Sequence, residues 1–164
     1  KSALEFEATH DSMTRLNNRN RYNLDIASGL YDGKGLGVLY FDLNNLKSVN
    51  DRYGHVAGDT LIIRLASAIS KTAKEFPNAT SYRIGGDEFI LLFKAATTET
   101  LLQASESFQQ HLKTLDNGKE IPCSVAIGKA YSREDCTPEQ LISKADNAMY
   151  KEKKKIKKPS IRSK

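Results

Sequence analysis

The chain has 164 residues, 39% hydrophobic and 27% charged, a size and balance that fit one globular domain around one core. Its longest uninterrupted apolar runs are about five or six residues, far below the roughly 18 that would span a bilayer, and no signal peptide is legible. The net charge of +5 is concentrated in a tail: residues 151–164 hold seven Lys, one Arg and one Glu, a net +7, and taking that +7 from +5 leaves residues 1–150 at −2. Without aromatic interleaving or a nucleic-acid motif, that tail reads as a solvated C-terminus and not as a nucleic-acid surface. Cys123 and Cys136 lack metal-ligand spacing. They are expected as reduced thiols, Cys123 packed in a strand, with a disulfide between them as the alternative.

Residues 1–10 offer no core pattern and begin without Met, as the end of an upstream linker or helix would. The polar, turn-rich stretch Asp11-Ser12-Met13-Thr14-Arg15-Leu16-Asn17-Asn18-Arg19 then leads into a helix through about Ser28. Leu36 to Asp42 reads as a short strand that delivers a carboxylate to its C-terminal tip. Leu43 to Asp51 turns into a helix with Leu46, Val49 and Tyr53 facing inward. An acid at a strand tip, followed by a helix whose first N–H groups lack partners, makes a cradle for magnesium and a triphosphate: Asp42 for the metal, the loop amides for phosphate.

After Gly54 to Asp59 a long amphipathic helix is expected, with the stripe Ile62, Leu65, Ile69, Ala73 and Phe76, and with Asp59 in its first turn, where a carboxylate favours the helix dipole. Asn50 and Asp59 can present an amide and a carboxylate to a base edge, and guanine offers its N1–H and N2 amine as donors. His55 reads as structural.

The stretch Tyr82 to Phe93 has the form of a β-hairpin, one strand running into Gly85-Gly86 and a strongly apolar one, Phe89 to Phe93, running out. Two glycines suit a two-residue turn with positive φ. Asp87 and Glu88 are what a simple turn does not need. Two acids at the mouth of a strand buried on both faces are costly unless something cationic meets them, which points to a metal or phosphate site. Beyond the hairpin, Thr97 or Thr98 caps a helix with the stripe Leu101, Ser105, Phe108, Leu112 and Leu115. Ile121 to Tyr131 reads as a strand. Thr137-Pro138-Glu139-Gln140 forms a capping box with Pro at N1, opening a last helix that buries Leu141, Ala145, Ala148 or Met149, and Ile156.

Four blocks in this order carry a resemblance. Gly85-Gly86-Asp87-Glu88-Phe89 is the signature pentapeptide of the GGDEF family, the diguanylate cyclases. Asp11 to Arg19 resembles the family's Asp-x-Leu-Thr-Gly-Leu-x-Asn-Arg entry motif, with Met13 for Leu and Arg15 for Gly. Asp42, Lys47, Asn50, Asp51, Gly54, His55, Gly58 and Asp59 fall in register with Asp-x-Asp-x-Phe-Lys-x-x-Asn-Asp-x-x-Gly-His-x-x-Gly-Asp, from which Asn44 and Leu46 depart. Ser124 to Gly128 resembles the family's later strand, and Ala145 to Lys153 its closing Ala-Asp-x-Ala-Met-Tyr-x-x-Lys motif. Ile156 and Lys157 stand where Gly-Arg is usual.

The resemblance implies an α+β fold, α/β in the broad sense, with a mostly antiparallel central sheet flanked by helices, similar to the palm of adenylyl cyclases and polymerases. It implies a linker end at residues 1–10, the cyclase domain at 11–158 and a basic tail at 159–164. The implied reaction joins two GTP molecules into cyclic di-GMP and releases two pyrophosphates. Two Mg²⁺ or Mn²⁺ ions would be held by Asp42, Asp87 and the Leu43 carbonyl. Asp87, then Glu88, would assist deprotonation of the ribose hydroxyl. Nucleotide contacts would come from Asn50, Asp59, Gly85, Gly86, Lys47 and Lys153, with Lys157 a weak substitute for the absent arginine. Phe76 and Ala79 occupy the Arg-x-x-Asp positions of the family's product-inhibition site, so none is expected. One domain holds one GTP, so a homodimer is expected in turnover, under an upstream sensory segment. The expected location is cytoplasmic, with no membrane contact by this domain. The alternative is a GTP-binding sensor that kept the fold and lost turnover.

Overall fold

The computed structural model describes the chain from Ser2 to Arg162, with side chains as far as Lys155. Ten elements follow in order: α1 (Ala3–Thr9), α2 (Arg19–Ala27), β1 (Leu36–Leu43), α3 (Leu46–Tyr53), α4 (His55–Glu75), β2 (Ala79–Arg83), β3 (Glu88–Phe93), α5 (Thr98–Asp116), β4 (Val125–Ser132) and α6 (Pro138–Arg162). The strands form one sheet in the order β2-β3-β1-β4, each neighbour antiparallel. This is the split βαβ arrangement, and it is the helix-flanked antiparallel sheet that the resemblance implies.

Strand period decides which helix each residue meets. In β1 the odd positions Leu39, Phe41 and Leu43 enter a core with Leu61, Leu65 and Ile69 of α4 and Phe108 of α5. The even positions Val38 and Tyr40 enter a second core with Ile90 and Leu92 of β3 and Leu141, Ala145 and Met149 of α6. Asp42 continues the even series, so its carboxylate belongs to the α6 side. At Gly128 of β4 a methyl group would sit 1.9 Å from the Ala145 carbonyl oxygen. Only glycine lets the α6 backbone lie directly on the sheet there.

Caps behave as the sequence predicts. Thr97 shares a capping box with Thr100, and Thr137 and Gln140 bond each other's backbone N–H at 3.2 Å. On α6 it is Met149 that is fully buried, with Ala148 beside it half-exposed. The Ile156 position lies outside the described side chains.

Five expectations need correction. The long helix begins at His55, so Asp59 lies in its second turn, because Gly54 at φ 93° separates α3 from α4 in a single residue. Tyr53 is exposed and not inward. The last strand begins at Val125, since Pro122 has no N–H for a ladder, Pro122 and Ser124 pair with side chains of the β1–α3 loop, and the Cys123 N–H donates to the Asp116 carboxylate instead. Cys123 is therefore buried in the α5–β4 connection and not in a strand; both cysteines are free thiols. Finally, Gly85 and Gly86 do not have positive φ. The hairpin is wider than two residues: Ile84 and Gly85 both donate to the Glu88 carbonyl, at 3.0 and 3.4 Å. At Gly85 the Glu88 side chain folds back over the backbone, and a methyl group there would lie 2.6 Å from Glu88 Oε1 and displace that carboxylate.

Candidate active site

The tip of β1, the β2–β3 hairpin and α6 converge on Asp42. Its Cα pairs with that of Glu88 in β3 and of Ala126 in β4. Asp42 Oδ2 meets Lys153 Nζ at 2.9 Å, and the same ammonium donates to the Leu43 carbonyl at 3.1 Å. Asp87, in the turn before β3, is near enough for its charge to act on the Asp42 carboxyl. Burial pushes the Asp42 carboxyl above its ordinary value; the Lys153 ammonium opposes the shift and Asp87 adds to it. Asp42 Oδ1 is buried with no hydrogen-bond partner.

Glu88 takes a different place from the one strand alternation suggests. Asp87 lies in the turn and Glu88 is the first residue of β3, so Glu88, directly opposite Asp42, shares its face of the sheet. Its Oε2 accepts from the Tyr40 hydroxyl at 3.2 Å, and burial together with the Glu88 charge raises the Tyr40 pKa, keeping that hydroxyl protonated as a donor. Among the described residues no group of three or more His, Cys, Asp or Glu has metal-holding geometry. What the site offers is the Asp42–Asp87 pair and one carbonyl.

The other expected nucleotide residues lie around this centre or on α3 and α4. Asn50 packs against Gly58, where a methyl group would sit 1.8 Å from Asn50 Oδ1, and that oxygen is buried without a partner. Asp59 and Lys47 are exposed, as is Gly86, while Gly85 is half-buried. The Lys157 side chain lies outside the described residues. Phe76 packs edge-on against Phe93, and Ala79 pairs with Phe93 across β2–β3, so the positions of the inhibition motif are part of the core.

Three supports carried no legible signal in the sequence. Arg83 donates to Asp11 Oδ2 at 3.0 Å and to the Gly86 and Gly85 carbonyls at 3.0 and 3.3 Å, tying the hairpin to the entry loop. Burial works to raise the Asp11 carboxyl, but hydrogen bonds from Thr14 and the Arg83 guanidinium outweigh it and leave its pKa below the ordinary value. The β1–α3 loop is fastened by Asn44 Nδ2 to Ser124 Oγ at 2.9 Å and by Asn45 Nδ2 to the Pro122 carbonyl at 3.1 Å. Behind the hairpin, Tyr82 donates at 2.6 Å to the buried Asp25, which Arg21 also meets at 2.9 Å. Asp11 opens the entry motif and Arg83 stands two residues before Gly85, but neither stretch names the other as its partner, and nothing around Asp25 in α2 marks it for burial.

This geometry agrees with what the chain resembles. It is 34% identical over 158 residues to the diguanylate cyclase TpbB of Pseudomonas aeruginosa, covering 91% of this chain and 36% of that protein, so it spans about a third of the relative's length. The solved GGDEF domain of TpbB superposes with a TM-score of 0.72 at 32% identity, covering 89% of each chain. The GGDEF domain of DgcB from Caulobacter crescentus, solved in complex with c-di-GMP, superposes with a TM-score of 0.76 at 25% identity, covering 90% of this chain and 91% of that one. With a family model described as diguanylate cyclase, GGDEF domain, matching residues 8–159, the chain belongs to the GGDEF domain family.

Proposed function

We propose that this domain condenses two GTP molecules into cyclic di-GMP with release of two pyrophosphates. The observation that carries the reading is the pair of neighbouring carboxyl groups, Asp42 and Asp87, beside the Leu43 carbonyl, with the Lys153 ammonium seated on two of those oxygen groups. The set fits Mg²⁺ or Mn²⁺: its donors are hard oxygens, Asp42 Oδ1 is buried and unpartnered, and a cation already stands where such an ion would. Bound there, the metal would neutralise triphosphate charge and favour ionisation of a ribose 3′-hydroxyl.

The chain's own residues do the rest. Asp87, at the hairpin tip, takes the hydroxyl proton. Glu88, held by Tyr40, sets the shape of the turn through its contact with Gly85 and stands second in line as the base. Free amides at the start of α3 receive phosphate oxygens, joined by two cations, Lys153, which bonds the Leu43 carbonyl, and Lys47 in the first turn of α3. Asn50 Oδ1 is an acceptor without a donor, and the guanine N2 amine supplies one; Asp59, exposed on α4, accepts from N1–H. Attack on the α-phosphate of a second GTP requires a second domain facing the first, hence a homodimer. The Phe76 and Ala79 positions offer no charge to a cyclic dinucleotide, so product is expected not to bind there.

The test is chromatographic product analysis of concentrated protein with GTP and Mg²⁺, beside Asp87→Ala. Cyclic di-GMP from the parent and none from the variant supports the cyclase. GTP binding without product, even from copies forced together by a fused coiled coil, would replace it with the sensor reading.

A further inference from the structure

We propose that Lys153 is an exchangeable internal counter-ion: its ammonium competes with a divalent ion for Asp42 and the Leu43 carbonyl, and gives up that position only when a nucleoside triphosphate arrives to receive the lysine. The inference rests on the proposed function, because it assigns Asp42 and the Leu43 carbonyl to a divalent ion.

The geometry admits little else. Lys153 Nζ lies 2.9 Å from Asp42 Oδ2 and 3.1 Å from the Leu43 carbonyl oxygen, the two β1-tip oxygens a metal would need. Lysine and a divalent ion therefore compete for the same atoms. Lys153 is also the one half-buried lysine on the described part of α6; Lys151, Lys154 and Lys155 are exposed. Its stem cannot retreat with its helix, since the α6 backbone is in contact with β4 at Gly128 and Met149 is buried one turn earlier. What can move is the four-carbon side chain, which is flexible and carries its charge at the end.

The exchange has a physical cause. The Asp87 charge works against ionisation of the partly buried Asp42, and the Lys153 ammonium on Asp42 opposes that effect. A free divalent ion can enter only by evicting the lysine with no new partner for it, which leaves an ammonium beside the incoming cation. A metal–triphosphate complex brings both the replacement cation and an anion for the evicted lysine. The site is thereby biased to load metal and nucleotide together and to refuse metal alone.

Direct titration with Mn²⁺ without nucleotide, followed by electron paramagnetic resonance, tests this on the parent, Lys153→Met and Lys153→Arg. Lys153→Met is expected to bind Mn²⁺ roughly tenfold tighter than the parent, the size of one charge-assisted contact, while Lys153→Arg stays as weak as the parent. Asp42→Asn in the Lys153→Met background should abolish the gain, locating the ion. Mn²⁺ should also raise the melting temperature of Lys153→Met more than that of the parent. Should Lys153→Met not fold, Lys153→Gln, equally neutral but polar, replaces it. Mn²⁺ affinity in the neutral variant no greater than in the parent would overturn the proposal and make Lys153 a fixed part of the fold. Binding of a non-hydrolysable GTP analogue with Mn²⁺ by the parent reports separately on the proposed function, so the two can fail independently.

Discussion

Gly58 and Asn50 show how a residue without a side chain can set the position of a neighbour's amide. Asn50 Oδ1 fills the space that a methyl group on Gly58 would take, 1.8 Å away. Gly58→Ala should help α4 itself, by about 0.8–1 kcal/mol of helix propensity. It should also push the Asn50 amide out of its position and cost roughly tenfold in affinity for GTP, about the worth of one buried hydrogen bond. Stability by denaturant titration and affinity by calorimetry would then move in opposite directions; unchanged affinity would separate Asn50 from nucleotide binding. Arg15 is the contrasting case. It stands where the family's entry motif has Gly, and its φ of 68° is the left-handed conformation that glycine adopts freely and a side chain does not. What the sequence did not reveal is the compensation: the guanidinium lies 4.4 Å from the centre of the Phe6 ring, whose other contact is the stacked His10 ring at 3.7 Å.

Among elements, the hairpin illustrates how a motif depends on neighbours outside itself. The acids at its tip are set by β3, but the tip's position is set by Arg83 gripping Asp11 of the entry loop and the carbonyls of Gly85 and Gly86. A carboxyl held below its ordinary value stabilises the fold wherever it is ionised, fully above that value of 3.8, and loses the contribution as pH falls through its lowered folded value. Asp11→Asn should therefore melt at a lower temperature than the parent at pH 7, and the gap should close below about pH 4. Melting curves at pH 7, 5 and 2 check this, and a gap that does not narrow between pH 5 and pH 2 would show that the contact is not ionic. The pairing of Asn44 and Asn45 with Pro122 to Ser124 follows the same logic: a stretch that reads as strand by composition is taken out of the ladder to fasten the loop beside Asp42.

For the whole molecule, the two-core design explains why one end of the sheet is available for chemistry. Both faces are covered, by α4 and α5 on one side and α6 on the other, and no helix among the described residues is long and apolar enough to cross a membrane. A reaction joining two nucleotides held by two copies should depend on their encounter. Product formed per mole of protein is expected to rise with protein concentration and to level off once pairs are saturated, as rate measurements over a hundredfold dilution series would show; a flat profile would mean that a single copy suffices. The order of helices and strands, the stripes, the caps and the acids at strand tips were determined by the sequence alone, because period, capping chemistry and turn residues are local properties. Only the tertiary structure decided that Glu88 faces the same way as Asp42, that the hairpin opens wider than its glycines suggest, and that Lys153, 110 residues along the chain, sits on the Leu43 carbonyl. Each of those depends on register and on a helix docking against a strand, and neither is written in any short stretch of residues.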